Sequence, residues 1–208
     1  GVQTCALPIW ITSGQRSVAA LTWAADGRRI FLVVRPRPHS GELIRSTTIV
    51  RDLDTGAETL VTEKRGFGSA PVISPDGKLV ASIGSRGAEL FFHSAGVFVT
   101  PVGGGADQLA TAGIDRSVNS PHWLPDGRLL VLASDGTRVR PWIQPVGGTA
   151  RRLDWGALDP GSFDVGRDGA LAVIGEEPNR PSELYYTRSE EHTSELQSHS
   201  DLVCRLLL

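Results

Sequence analysis

Short apolar runs recur along the chain, and each follows the same pair of residues. Ile30-Phe31-Leu32-Val33, Leu79-Val80-Ala81-Ser82-Ile83, Leu129-Leu130-Val131-Leu132 and Leu171-Ala172-Val173-Ile174 each stand just beyond an Asp-Gly dipeptide. Runs of this length, bounded by turn residues, suit strands buried on both faces. The four segments align without gaps on Trp23-Ala24-Ala25-Asp26-Gly27, Ile73-Ser74-Pro75-Asp76-Gly77, Trp123-Leu124-Pro125-Asp126-Gly127 and Val165-Gly166-Arg167-Asp168-Gly169. At such a turn the Asp side chain bonds its own backbone, and Gly supplies the positive φ of a tight hairpin. Asp26, Gly27, Asp76, Gly77, Asp126, Gly127, Asp168 and Gly169 are therefore expected to shape turns, with no catalytic part for their carboxylates.

Counted from the four aspartates, the repeat is about 50, 50 and 42 residues long, close to one four-stranded propeller blade. A second repeated element lies elsewhere in each unit. Thr48-Ile49-Val50-Arg51-Asp52, Val97-Phe98-Val99-Thr100 and Trp142-Ile143-Gln144 read as strands closed by glycine turns at Gly56, Gly103-Gly104 and Gly147-Gly148. A polar strand follows each, ending near Leu60, Leu109 or Leu153. Such a meander cannot bury its apolar faces alone, so units must stack. The predicted fold is all-β: a partial β-propeller of about three to four four-stranded antiparallel blades, not closed. A helical reading is poor, because the frequent glycines and prolines would cost roughly 1 and 3 kcal/mol each inside helices. The irregular stretches 35–41 and 84–96 are expected to widen loops.

Both ends of the chain are expected to be foreign to the fold. Residues 1–9 can be written in codons as GGA GTT CAG ACG TGT GCT CTT CCG ATC, and the reverse complement, with one A added in front to set the frame, encodes residues 188–196. An adapter ligated to both ends of a DNA fragment produces this relation, whereas folding gives no reason for it. The expected organisation is thus adapter-derived sequence at 1–10, a propeller fragment at 11–187 and adapter-derived sequence at 188–208. Cys5 and Cys204 then carry no information about redox compartment. The interior balances 19 basic against 19 acidic residues, which argues against nucleic acid or an anionic membrane as partner. No apolar run is long enough to span a bilayer. The chain has no methionine, so a native start and any signal peptide are expected to lie upstream of it.

The repeated Ser74-Pro75-Asp76-Gly77-Lys78 and Leu124-Pro125-Asp126-Gly127-Arg128, with Pro121-His122-Trp123 before the latter, resemble the repeats shared by TolB-like propellers and prolyl oligopeptidase relatives. After the last repeat comes Glu177-Pro178-Asn179-Arg180-Pro181-Ser182-Glu183-Leu184-Tyr185. It is similar to the closing part of the propeller in the prolyl oligopeptidase family, acylaminoacyl-peptidase-like members above all. The resemblance implies a propeller that caps and filters access to an α/β-hydrolase domain with a Ser-Asp-His triad. On that reading the hydrolase domain and the remaining blades belong to the same parent chain, peptides are the parent's substrates, and a cytoplasmic location is favoured. No cofactor is implied.

Chemistry within the chain itself is sparse. No Gly-x-Ser-x-Gly elbow occurs; Ser69 and Ser94 stand in partial matches that each miss a required glycine. His39, His93 and His122 lie in separate repeats without metal-ligand spacing. Asp52-Leu53-Asp54-Thr55-Gly56 lacks the third acid and the terminal Glu of a calcium loop. Glu176-Glu177 follows a blade strand, unlike the paired glutamates of dipeptidyl-peptidase relatives, which lie in a helical insertion, so that substrate-anchoring role is not assigned to it. Arg35-Pro36-Arg37 and Arg151-Arg152 read as solvated faces, and Gly103-Gly104-Gly105 as a hairpin tip. No catalytic, cofactor or metal residue is expected.

Two functions remain: the non-catalytic propeller portion of a serine peptidase, or a TolB-like propeller that binds a protein or ligand with no activity. An unclosed stack leaves two blade faces uncovered under either. Residues 11–187 produced alone should therefore be poorly soluble or bind hydrophobic dyes; a monomer that melts cooperatively would contradict this.

Overall fold

The computed structural model describes residues 10–63, 69–87, 93–188 and 197–198. Each of the four repeats forms its own antiparallel sheet, with strands paired in chain order. Blade 1 comprises β1 (Ser17–Trp23), β2 (Arg29–Arg35), β3 (Thr47–Asp52) and β4 (Glu58–Thr62). Blade 2 holds β5 (Val72–Ile73), β6 (Leu79–Ser85), β7 (Ala95–Pro101) and β8 (Gln108–Leu109). Blade 3 holds β9 (Val118–Trp123), β10 (Leu129–Asp135), β11 (Arg138–Gln144) and β12 (Arg151–Arg152). Blade 4 holds β13 (Asp159–Val165), β14 (Ala170–Glu177), β15 (Arg180–Arg188) and β16 (Gln197–Ser198). This is an open arc of four propeller blades. The only helical segment among the described residues is a short 3-10 turn, Ser40–Arg45, in the long loop between β2 and β3.

The second strand of each blade shows why the sheets stack. Successive side chains of a strand point to opposite faces, and on β10 this alternation sorts the core. Leu129, Val131 and Ala133 pack with Ala81, Val97 and Val99 of blade 2. Leu130 and Leu132 pack with Phe163, Leu171, Val173 and Tyr185 of blade 4. Blades 1 and 2 join through Phe31, Val50 and Val61 against Val80 and Val102. Each apolar side chain buried this way contributes about 1.5–3 kcal/mol, and most of that burial is supplied by the neighbouring blade.

Polar contacts fix the stacking angle. Trp123 Nε1 donates to the Val72 carbonyl of blade 2 at 3.0 Å, and Thr22 Oγ1 of blade 1 donates to the Pro71 carbonyl at 2.6 Å. Arg86, just beyond β6, donates to the carbonyls of Thr111, Ile114 and Arg116 at 3.0, 2.6 and 3.1 Å. That stretch is the crossover from blade 2 to blade 3. Arg138 and Arg140 of blade 3 do the same for the next crossover, reaching the Ala157 and Leu158 carbonyls at 3.1 and 3.0 Å. A guanidinium offers several fixed donors, so one side chain satisfies carbonyls that no strand pairs.

The two outer blades depart from two-sided burial in different ways. On blade 1, Ile30, Leu32, Val34 and Ile49 face away from blade 2 yet stay buried, with Ile11 and Leu53 packed against them. On blade 4, β14 is buried on one face only: Leu171 and Val173 are enclosed, while Ala172 and Ile174 are exposed. The apolar run there reads like the other three, but among the described residues no further sheet covers its far side. β15 extends through Arg188, one residue past the expected boundary at 187, and Gln197 and Ser198 pair with Tyr186 and Tyr185.

The asymmetry of β14 makes a direct test. Leu171→Ala should cost about 2–5 kcal/mol, whereas Ile174→Ala, three residues away, should change stability by no more than about 0.5 kcal/mol. Denaturant unfolding at low protein concentration would show a large midpoint shift for the first and almost none for the second.

Candidate functional site

The four Asp-Gly turns share two hydrogen bonds, although the bond that closes the hairpin spans five residues in blades 1 and 2 and four in blades 3 and 4. The glycine N–H donates to the carbonyl three residues back: Gly27 to Ala24 at 3.1 Å, Gly77 to Ser74 at 2.9 Å, Gly127 to Leu124 at 3.0 Å and Gly169 to Gly166 at 3.0 Å. One carboxylate oxygen accepts the N–H two residues on, from Arg28 at 2.9 Å, Lys78 at 3.1 Å, Arg128 at 3.0 Å and Ala170 at 3.1 Å. At Gly77 φ is +71°, and an added Cβ would meet nothing within 4 Å. Its requirement for glycine is thus conformational and owes nothing to crowding.

These bonds hold three of the carboxyls below the ordinary carboxylate range. For Asp26 the main cause is the Arg28 N–H, then the Arg29 guanidinium. For Asp76 it is the Ser74 hydroxyl, which donates at 2.6 Å, then the Lys78 N–H. For Asp126 it is the Arg128 guanidinium. Asp52 is lowered in the same way, chiefly by the Thr55 N–H at 2.7 Å, so its oxygen is occupied by its own hairpin.

At the turn end of the arc, the first strands of the blades face a shared cavity of about 350 Å³, lined by Thr22, Trp23, Val72, His122, Trp123 and Val165 among others. His122 is placed there by β9. Its ring stacks at a tilt on Phe163 with centroids 4.5 Å apart, and its Nε2 lies 3.8 Å from an Asp164 oxygen. The strand is bent just upstream. Ser120 adopts φ +48°, unusual for a residue with a Cβ, where the pairing with β10 slips between Leu130 and Leu132. Bulges of this kind re-aim the side chains beside them.

At the opposite end, between blades 3 and 4, a cavity of about 360 Å³ is lined by Arg138, Asp159, Glu176, Glu177 and Arg180, with Thr137, Ala157 and Pro178. The fold brings Glu176-Glu177 beside Asp159 and two arginines. Sequence reasoning missed Arg138 and Asp159, which are distant in the chain. Asp159 is partly committed, accepting the Val139 N–H at 2.8 Å.

The other candidates stay apart. His39 Nδ1 accepts the Gly41 N–H at 3.1 Å in the loop after β2, His93 precedes β7 and His122 is on β9. Among the described residues, no three His, Cys, Asp or Glu side chains converge on a point. Ser69 lies between blades 1 and 2, Ser94 just before β7, and neither is followed by a helix. Arg151 and Arg152 form β12, where Arg152 meets Asp135 at 3.1 Å.

No family model and no curated protein matches the chain. Solved structures do. TolB from Acinetobacter baumannii superposes with a TM-score of 0.63 at 19% identity, over 86% of this chain and 42% of that one. The likeness is one of fold. An acylaminoacyl peptidase from Pyrococcus horikoshii gives a TM-score of 0.64 at 19% identity, over 91% of this chain and 28% of that one. A puromycin-hydrolyzing peptidase from Mycobacterium tuberculosis gives 0.68 at 18%, over 88% and 31%. The chain therefore spans less than half the length of each. Both peptidases and TolB share its propeller architecture.

Because folding lowers these carboxyl pKa values, their stabilisation is present above the ordinary carboxylate range and is lost as pH falls through the folded values. Melting temperature should hold from neutral pH to about pH 4 and decline below it. Replacing Asp26, Asp76 and Asp126 together by Asn should flatten that decline; an unchanged acid slope would remove the turns from its cause.

Proposed function

We propose that the chain is the non-catalytic propeller portion of a serine peptidase of the prolyl oligopeptidase type, capping an α/β-hydrolase domain encoded beyond it. One observation carries the reading: the Pro181-Ser182-Glu183-Leu184-Tyr185 segment follows the last Asp-Gly turn and lies in β15, the penultimate strand of the fourth blade. Supporting it, the chain shares its fold with two peptidases and matches less than a third of each. In such a parent the catalytic Ser, Asp and His come from the hydrolase domain, and the partners of these four blades are that domain and further blades of the same polypeptide.

The physical task of a cap is to exclude water and bulky competitors from a reactive serine. An arc whose first strands line a cavity has the form for that work. The cavity wall of Thr22, Val72, His122 and Val165 is mixed in polarity and carries a single titratable ring, which suits passage of short peptides better than tight retention of one ligand. Peptides and small acylated compounds are the proposed substrates of the parent.

The likeness to TolB, at a comparable TM-score, supports a second reading, a propeller that binds a protein or ligand and has no hydrolase. The two separate cleanly. Sequencing the uninterrupted genomic DNA 3′ of codon 187 should reveal a Gly-x-Ser-x-Gly elbow followed by Asp and then His. A frame that stops there, or enters further blades and ends without that elbow, would refute the peptidase assignment and favour the binding propeller.

A further inference from the structure

The seam between blades 1 and 2 is fastened differently from the two that follow it. At the later seams arginine side chains bind crossover carbonyls, Arg86 at one and Arg138 and Arg140 at the other. Between described residues, the polar links across the first seam are two threonine hydroxyls, one at each edge. At the inner edge Thr22 donates to the Pro71 carbonyl. At the outer edge Thr62, the last residue of β4, donates to Asp107 Oδ2 at 2.8 Å.

Asp107 belongs to the loop that joins β7 to β8, and three features seat that loop on blade 1. The other carboxylate oxygen accepts the Thr100 hydroxyl at 2.6 Å, so one carboxylate ties a threonine of each blade. Thr62 and Thr100 are only 4 and 1% exposed. Val102 packs with Val61 and Phe31 of blade 1. Gly104, at φ +86°, sits so close to β4 that an added Cβ would stand 2.8 Å from the Leu60 carbonyl oxygen. The matching loops of blades 1 and 3 bond to themselves instead. Asp52 accepts from the Asp54 and Thr55 N–H groups, and Gln144 Nε2 donates to the Pro145 and Gly148 carbonyls.

At the turn rim the same seam holds a cavity of about 220 Å³, lined by Asp26, Arg29, Phe31 and Asp76 among others. It shares Ala25, Ile73 and Pro75 with the larger cavity that the first strands enclose. Blade 1 supplies Thr22, Trp23 and Ala25 to the wall of that larger cavity.

We propose that the β7–β8 loop is a clasp on this seam, and that its release lets blade 1 swing away from blade 2 while the other seams stay shut. Blade 1 then carries its part of the wall with it, so release joins the two cavities and widens the space between the first strands. Both surfaces of the seam lie within the chain, and the inference does not rest on the peptidase reading.

Separating two sheets leaves the hydrogen bonds inside each blade intact, so the reporter must be a buried side chain. Val80 lies in the first seam and Val131 in the second, both 0% exposed. In the full chain with Cys5→Ser and Cys204→Ser, Val80→Cys or Val131→Cys places one thiol, whose labelling rate under native conditions reads the opening of its own seam. Thr62→Val removes the donor and Asp107→Ala the acceptor. Either should speed labelling at Val80→Cys about 10-fold, the loss expected for one hydrogen bond to a charged group, and leave Val131→Cys unchanged. Together they should act no more strongly than Asp107→Ala alone. Gly104→Ala should match them. Gly147→Ala, at φ +72° with nothing within 4 Å of an added Cβ, brings similar backbone strain without the contact and should leave Val80→Cys slow. Should Val80→Cys prevent folding, Val61→Cys replaces it. Unchanged labelling in Thr62→Val or Asp107→Ala, equal acceleration at both reporters, additive effects in the double variant, or a Gly147→Ala variant as fast as Gly104→Ala would overturn the proposal.

Discussion

A four-stranded meander has two apolar faces and can fold neither onto itself, so the structure depends on face-to-face stacking of sheets. β10 shows the constraint most plainly. Its five consecutive buried residues divide between two neighbours, Leu129, Val131 and Ala133 toward one blade and Leu130 and Leu132 toward the other. Remove either neighbour and half of that strand's burial is lost. The hydrogen bonds from Trp123, Thr22, Arg86, Arg138 and Arg140 then serve orientation. They reach backbone carbonyls across blade boundaries, which apolar packing, being non-directional, would leave without a defined angle.

Much of this was legible in the chain because the period of the repeat and the chemistry of its turns are local. Asp26-Gly27 and its three counterparts announce themselves within a few residues, and the apolar runs after them have strand length. What the sequence did not disclose depends on neighbours. Ala172 and Ile174 belong to a run that looks like a two-sided core strand, and their exposure is decided by whether another sheet lies beyond. Ile30, Leu32, Val34 and Ile49 escape the same fate through Ile11 and Leu53, a covering that no periodicity signals. The bend at Ser120 was likewise hidden, since nothing in Asn119-Ser120-Pro121 specifies a positive φ rather than a plain extended strand.

The candidate chemistry follows the same division. Residues that look reactive in isolation, such as the acids of Asp52-Leu53-Asp54 or His39, are engaged by their own loops. The groups that do converge come from distant parts of the chain: Arg138 and Asp159 with Glu176 and Glu177 at one end, Thr22, Val72 and His122 at the other. Their proximity arises from equivalent strand positions in successive blades being brought around one axis, and a repeat read linearly shows the equivalence but not the convergence.

The Asp-Gly turns all lie at the same rim of the arc and differ by at most one residue in length, whereas the connections at the opposite rim differ widely, from the two residues between β10 and β11 to the long loop between β2 and β3. Pairing register is thus pinned at one edge and the other is released from that duty. Length variation can accumulate there, by insertion or by grafting of foreign peptide, without shifting any strand against its partner. The molecule is built with a conservative rim and a permissive one, and new specificities would be engineered into the second.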